Sequence, residues 1–199
     1  VTAEAENSKT IPNIISDKKV DGIIVLGQMK LNYLETIKNT NVPLVFLDFY
    51  EEKMDVDSII GDSFYGSFRL TNYIISKGHR NIGFVGNINS TSSILDRYLG
   101  YLKALITNRL VINEDWIIPD RGEDGAYIDF VLPEKMPSAF ICNCDSVAYL
   151  LIKKLKKMGY NVPNDISVAG YDNDIFSSLS SPKLTTVEVD VEMMADTAI

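Results

Sequence analysis

One stretch constrains this chain more than any other: Gly78-His79-Arg80-Asn81-Ile82-Gly83-Phe84-Val85-Gly86. A glycine suited to ending a helix is followed by an unbroken apolar run. A polar loop comes next, then Asp96-Arg97-Tyr98-Leu99-Gly100-Tyr101. The spacing reads helix, buried strand, loop and a second helix opening on Arg97. Continuous apolar runs of this length fit strands covered on both faces, as in parallel sheets. The same signature recurs at residues 22–26, 44–47, 139–142 and 167–170, with weaker candidates at 58–60 and 186–189.

Helical segments lie between these runs. Tyr98, Tyr101, Leu102, Leu105 and Ile106 fall on one helical face, as do Val147, Leu151, Leu155 and Met158. Gly78 and Gly159 follow lysine-bearing helix ends, where a left-handed cap is expected. Asp145 is placed to cap the helix that follows it. Strand and helix alternating throughout predict an α/β fold of parallel sheets with right-handed crossovers. The pattern restarts near Ile82. Residues 1–81 are therefore expected to form one lobe and 82–186 a second, with 187–199 crossing back to the first. A chain of 199 residues suits two such lobes of about 100 residues each.

Composition narrows the function classes. The net charge of −8 argues against this chain holding nucleic acid by itself. No apolar run approaches the roughly 20 residues that span a bilayer. Cys142 and Cys144 are the two cysteines, and His79 the one histidine. A Cys-x-Cys pair without a second pair is a poor zinc site, so no metal is expected. A reducing cytoplasm fits so few cysteines. His79 has no nucleophile in a motif around it, and no carboxylate pair stands out. Gly83-x-x-Gly86 lacks the third glycine of a dinucleotide fingerprint. Neither catalysis nor a cofactor is expected.

What remains points to ligand binding. Arg97 lies beyond the carboxyl end of a strand, where open α/β sheets take ligands. A cation at a helix start opposes the helix dipole unless it has a partner. Asp172 follows the strand at 167–170, and Asp62 follows the weaker one at 58–60. Each can accept from ligand hydroxyls or make a local cap. The loop at 87–93, with Thr91 and Ser93, is dense in hydroxyls and amides.

Several segments occur together in one order: Val20-Asp21-Gly22-Ile23-Ile24-Val25-Leu26-Gly27, Pro43-Leu44-Val45-Phe46-Leu47-Asp48, Asp62 with Gly66, Gly78-His79-Arg80-Asn81-Ile82, Arg97 with Gly100-Tyr101, Val162-Pro163-Asn164-Asp165-Ile166-Ser167-Val168, Gly170-Tyr171-Asp172-Asn173 and Leu184-Thr185-Thr186-Val187. In combination they resemble the effector-binding core of the LacI/GalR family of bacterial transcriptional regulators. The resemblance implies a periplasmic-binding-protein-like type I fold, two parallel-sheet lobes with a ligand cleft between them. It implies a sugar or sugar phosphate effector that closes the lobes. It also implies a cytoplasmic homodimer without membrane contact, reading operator DNA through an N-terminal helix-turn-helix that this stretch lacks. The first strand and helix of the first lobe and the closing segment are likewise expected to lie outside it. Position by position, Arg97 matches the arginine that contacts effector, Asp172 the carboxylate opposite, and Asp62 an acidic residue at the cleft edge. Thr91 and Ser93 match loop positions that touch effectors. The family's asparagine before Asp145 is Cys144 here, with Asn143 one earlier, and the stacking aromatic expected near residues 120–121 is absent. An extracytoplasmic sugar-binding protein of a transport system shares the fold and is the alternative.

Overall fold

The computed structural model describes residues 1–122, 125–129 and 131–199. These divide into two compact units, Val1–Gly61 with Asp190–Ile199, and Asp62–Val189.

The first unit opens on α1 (Ala3–Ser8) and α2 (Asn13–Ser16). β1 (Ile23–Leu26), α3 (Leu31–Lys38), β2 (Leu44–Leu47) and β3 (Asp57–Ile59) follow. The strands are parallel in the order β1-β2-β3, with Ile24 opposite Val45 and Phe46 opposite Ser58. α3 buries Tyr33, Leu34 and Ile37, neighbours on one helical face, against Val25, Phe46 and Phe49. β1 departs from the expected two-sided cover, since Ile24 and Leu26 are 47% and 67% exposed.

The second unit contains α4 (Ser63–Ser76), β4 (Ile82–Val85) and α5 (Ser92–Thr107). A 3-10 turn at Glu114–Trp116 leads into β5 (Ile117–Ile118). β6 (Ala139–Cys142), α6 (Asp145–Lys157), β7 (Ser167–Ala169) and α7 (Ile175–Leu179) complete it. α8 (Val191–Thr197) belongs to the first unit. The parallel sheet runs β5-β4-β6-β7, with Phe84 opposite both Ile117 and Ile141, and Phe140 opposite Val168.

Strand alternation builds two cores on this sheet. Ile82, Phe84, Ala139, Ile141 and Ala169 face Leu70 and Ile74 of α4 and Tyr101, Ala104 and Leu105 of α5. Val85, Phe140, Cys142 and Val168 face Val147, Leu151 and Leu155 of α6. Gly78 and Gly159 take φ of 101° and 91° just past α4 and α6, the left-handed endings expected there.

The division between units differs from the expected one at residue 82. α4 lies along α5, so closely that a Cβ on Gly100 would meet the Phe64 carbonyl oxygen at 2.1 Å. This contact places α4 in the second unit. The segment before Asp190 stays there too, bridged to β7 at Ala169–Thr185 and to Asp172 at Glu188.

Candidate functional site

In the second unit, β4 passes first to β5 on one side, and the chain then returns to β6 on the other. The connections leaving β4 and β6 therefore diverge, and the carboxyl ends of these two strands form a topological switch point, where ligands of open α/β sheets bind. α5 brings Arg97 to this end, the turn after β6 brings Asn143 and Cys144, and the turn after β7 brings Tyr171 and Asp172.

Arg97 is not at a helix start, as the sequence suggested. Thr91 caps α5, its hydroxyl accepting from Ile94 N at 3.2 Å, so Arg97 sits beyond the first turn. The dipole conflict inferred for it does not arise. Its guanidinium is buried and still has partners. Nη1 donates to the Asn143 carbonyl at 2.6 Å, Nη2 pairs with Asp172 Oδ1 at 3.0 Å, and Nε reaches Ser63 Oγ at 3.4 Å. The guanidinium carbon lies 4.0 Å from the Tyr171 ring centre. A flat cation between a ring and a carboxylate keeps one orientation.

Asp172 is the partner that faces water. Its side chain is 32% exposed against 8% for Arg97. It sits at φ 101°, followed by Asn173 at φ 55°. A non-glycine residue at so large a positive φ costs about 1–3 kcal/mol, and such strain collects at ligand sites. Here it is held by Asp172 N donating to Val187 O at 2.8 Å and by the ion pair.

Asn143 joins this pair to a second one. Its carbonyl takes Arg97, while its Nδ2 donates to Val85 O and to Asp120 Oδ2, both at 3.0 Å. Its Oδ1 accepts from Arg121 Nη2 at 3.3 Å. Asp120 is fully buried. Oδ1 accepts from Asn87 N at 2.7 Å, and Oδ2 from Arg121 Nε and Nη2 at 3.0 and 2.8 Å. Burial pulls the Arg121 guanidinium toward losing its proton, and the hydrogen bond and charge of Asp120 outweigh it, so the proton is held more tightly than usual.

The other expected residues are placed as follows. Asp62 caps α4, accepting from Tyr65 N at 2.9 Å, and its backbone carbonyl accepts from the Tyr171 hydroxyl at 3.4 Å. Ser93 Oγ lies 3.1 Å from Thr91 Oγ1. Cys144 Sγ lies 3.2 Å from Ser146 Oγ, and burial pushes its thiol above the usual value. Asp145, expected as a cap, is instead the first residue of α6. It is buried and accepts from Asp174 N at 3.0 Å. Reasoning from sequence missed Asp120, Arg121 and Tyr171. Tyr171 stood inside a motif, but the Asp120–Arg121 pair follows a strand of two residues that carries no periodicity.

Among the described residues no group of three His, Cys, Asp or Glu gathers that could hold a metal. No helix among them is long and apolar enough to cross a membrane. Fixed donors beside a partly open carboxylate can grip a hydroxyl-bearing molecule.

Residues 71–199 match the periplasmic binding protein-like domain family. The HTH-type transcriptional repressor PurR of Glaesserella parasuis serovar 5 is 32% identical over 201 residues, covering 98% of this chain and 59% of that protein. The chain thus spans less than two thirds of that relative's length. Among solved structures, the transcription regulator CcpA of Lactococcus lactis superposes with a TM-score of 0.82 at 20% identity, covering 98% of this chain and 72% of that one. A sugar-binding transcriptional regulator of the LacI family from Escherichia coli, complexed with phosphate, gives 0.75 at 24% identity, covering 96% and 71%. These two matches show the same fold. Together with the resemblance to LacI/GalR regulators in the motifs, they lead to one assignment: the chain belongs to the family of periplasmic-binding-protein-like domains.

Proposed function

We propose that this chain is the effector-binding core of a transcriptional regulator, and that a sugar is held at the Arg97–Asp172 pair. The observation that carries this is a buried guanidinium fixed at the switch point beside a strained carboxylate still open to water. A sugar hydroxyl both donates and accepts, so two neighbouring hydroxyls match one guanidinium edge and one carboxylate. Asp62, Thr91 and Ser93 supply further oxygens, and Cys144 an apolar contact. Asn143 acts through the arginines it holds. In the complete regulator, a homodimer in the cytoplasm, an N-terminal helix-turn-helix reads the operator, and sugar binding biases that reading.

A thermal-shift and calorimetric panel tests this, with D-glucose, D-ribose, D-fructose, sucrose, hypoxanthine and guanine. We expect one of the sugars to bind. A charge-assisted hydrogen bond contributes roughly 1.5–3 kcal/mol, so Arg97→Ala should weaken that sugar about tenfold or more. Binding of a base with none of the sugars would replace the sugar class. Unchanged affinity in folded Arg97→Ala would remove the site.

A further inference from the structure

We propose that Asp145 is a positioning residue for the candidate site: its carboxylate, on α6, holds the turn after β7 in the strained conformation that sets Asp172 against Arg97. The proposal rests on the reading of the Arg97–Asp172 pair as the binding site and adds a residue that acts on that pair through the backbone.

Asp172 and Asn173 are successive residues at positive φ, 101° and 55°. Such a conformation persists only where its surroundings leave the chain no alternative. One edge of the turn is held by the segment before Asp190. Asp172 N donates to Val187 O at 2.8 Å, and Asn173 N to Thr186 Oγ1 at 3.3 Å. The other edge is held by a single residue. Asp145 N donates to Tyr171 O at 2.9 Å, and Asp145 Oδ2 accepts from Asp174 N at 3.0 Å. Asp145 thus grips the turn on both sides of the strained pair, with its backbone before them and its side chain after them.

The carboxylate does not serve its own helix. Cys144 stands at the cap position of α6 without a side-chain capping bond, and the Asp145 side chain crosses to the turn instead. Gly170 leaves the room for it, since a Cβ there would fall 2.0 Å from Asp145 Oδ1. The group is fully buried, and burial pushes its carboxyl above the usual range, against donors from Thr186, Asp174 and Asn173. Asparagine would fill the same space without that penalty. One of its two ends, however, is a donor, and it would face the donors of the turn, whereas a carboxylate accepts at both ends. Charge between the two aspartates works the other way. Like charges repel, so loss of the Asp145 charge by itself would make the Asp172 charge more favourable. Positioning and direct electrostatics therefore predict opposite signs.

The test combines Asp145→Asn with Asp172→Asn in the whole chain, read by urea unfolding at neutral pH without ligand. Asp172→Asn should lower the midpoint by about 1 M in wild type, and by less than about half of that in Asp145→Asn, where the ion pair is already loosened. An equal shift in folded Asp145→Asn would mark a merely structural residue and a larger one a purely electrostatic effect, and either overturns the proposal. If Asp145→Asn does not fold, Thr186→Val decides. It removes one donor from the same carboxylate, keeps the side chain's shape and should shrink the Asp172→Asn shift in the same direction; an unchanged shift there would overturn the proposal. Calorimetry with D-glucose, D-ribose, D-fructose and sucrose reads the same link at the site. Any of these that binds wild type should bind folded Asp145→Asn about tenfold or more weakly, and equal affinity would overturn the proposal. If none binds wild type while the midpoints move as expected, the sugar reading of the site fails and the positioning role stands.

Discussion

Replacing Asp172 by asparagine keeps the side chain's shape, removes its charge and leaves Arg97 buried. Asparagine also tolerates positive φ better than most residues, so the backbone at φ 101° is not an added burden. At 3.0 Å and an effective dielectric constant near 20, the lost attraction is about 5–6 kcal/mol before any offset. Three offsets reduce it. Asp172 is 32% exposed, so water already screens part of the attraction. The asparagine oxygen can still accept from Nη2. Arg97 keeps the Asn143 carbonyl at 2.6 Å. Breaking a buried pair by removing one partner costs about 3–5 kcal/mol, and these offsets bring the expectation to about 2–3 kcal/mol. In an Arg97→Met background the same change leaves no unpaired buried cation and should cost less than about 0.5 kcal/mol. Urea unfolding followed by Trp116, the single tryptophan, reads this directly. Trp116 is buried in the second unit and donates to Lys135 O at 2.8 Å. A loss of 2–3 kcal/mol would move the midpoint by about 1 M urea. Equal costs of Asp172→Asn in both backgrounds would show that the pair carries no coupling, and the account of Arg97 as a guanidinium held by charge would be wrong.

Three further expectations can be checked on the same unfolding curves. Gly100→Ala should destabilise by about 1–3 kcal/mol despite alanine's higher helix propensity, because its Cβ would meet the Phe64 carbonyl oxygen at 2.1 Å; a stabilised variant would contradict the packing of α4 on α5. Thr91→Ala removes the acceptor for Ile94 N and should cost about 0.5–2 kcal/mol, whereas Thr91→Ser should cost little. Burial pushes the Asp145 carboxyl above the usual carboxylate range, against hydrogen bonds from Thr186, Asp174 and Asn173. A carboxyl with a raised folded pKa holds its proton more tightly when folded, so its contribution is fullest below the unfolded pKa and falls away as pH rises through the folded one. Asp145→Asn should therefore gain on wild type as pH rises above the ordinary aspartate value of about 4, and a pH-independent difference would remove Asp145 from that role.

Three of the strands read from the sequence, at 44–47, 82–85 and 139–142, coincide with the observed ones. Their apolar runs were legible because packing or flanking loops define both ends. β5 was not, since two apolar residues after a 3-10 turn have no period to detect. Its loss hid Asp120 and Arg121, which stand at its carboxyl end. The start of α5 was read too late because its apolar stripe begins near Tyr98, while the capping signal sits at Thr91. Asp145 looked like a cap because aspartate is a good one, but its carboxylate turns to Asp174 N. The lobe boundary misplaced α4 because an amphipathic pattern states that a face is buried and not against what. Arg97 and Asp172 were both named from sequence. Their direct bond was not legible, because only the assembled sheet brings the ends of β4 and β7 to one side.

Gly66 bears on the order in which this site can change. A Cβ there would fall 2.1 Å from the Tyr171 hydroxyl oxygen, and the Tyr171 ring carries the Arg97 guanidinium at 4.0 Å. A side chain at 66 must displace the ring, and with it the arginine. Removing the hydroxyl first relieves the worst of the overlap and leaves the ring carbons Cζ and Cε2 at 3.0 and 3.1 Å, a few tenths of an ångström too close: Tyr171→Phe gives up the 3.4 Å bond to Asp62 O and keeps the aromatic face. The double change is thus reachable through Tyr171→Phe and obstructed through Gly66→Ala. A lineage or a library that samples position 66 before position 171 meets the larger barrier, and one that samples them in the reverse order asks the ring to shift only slightly.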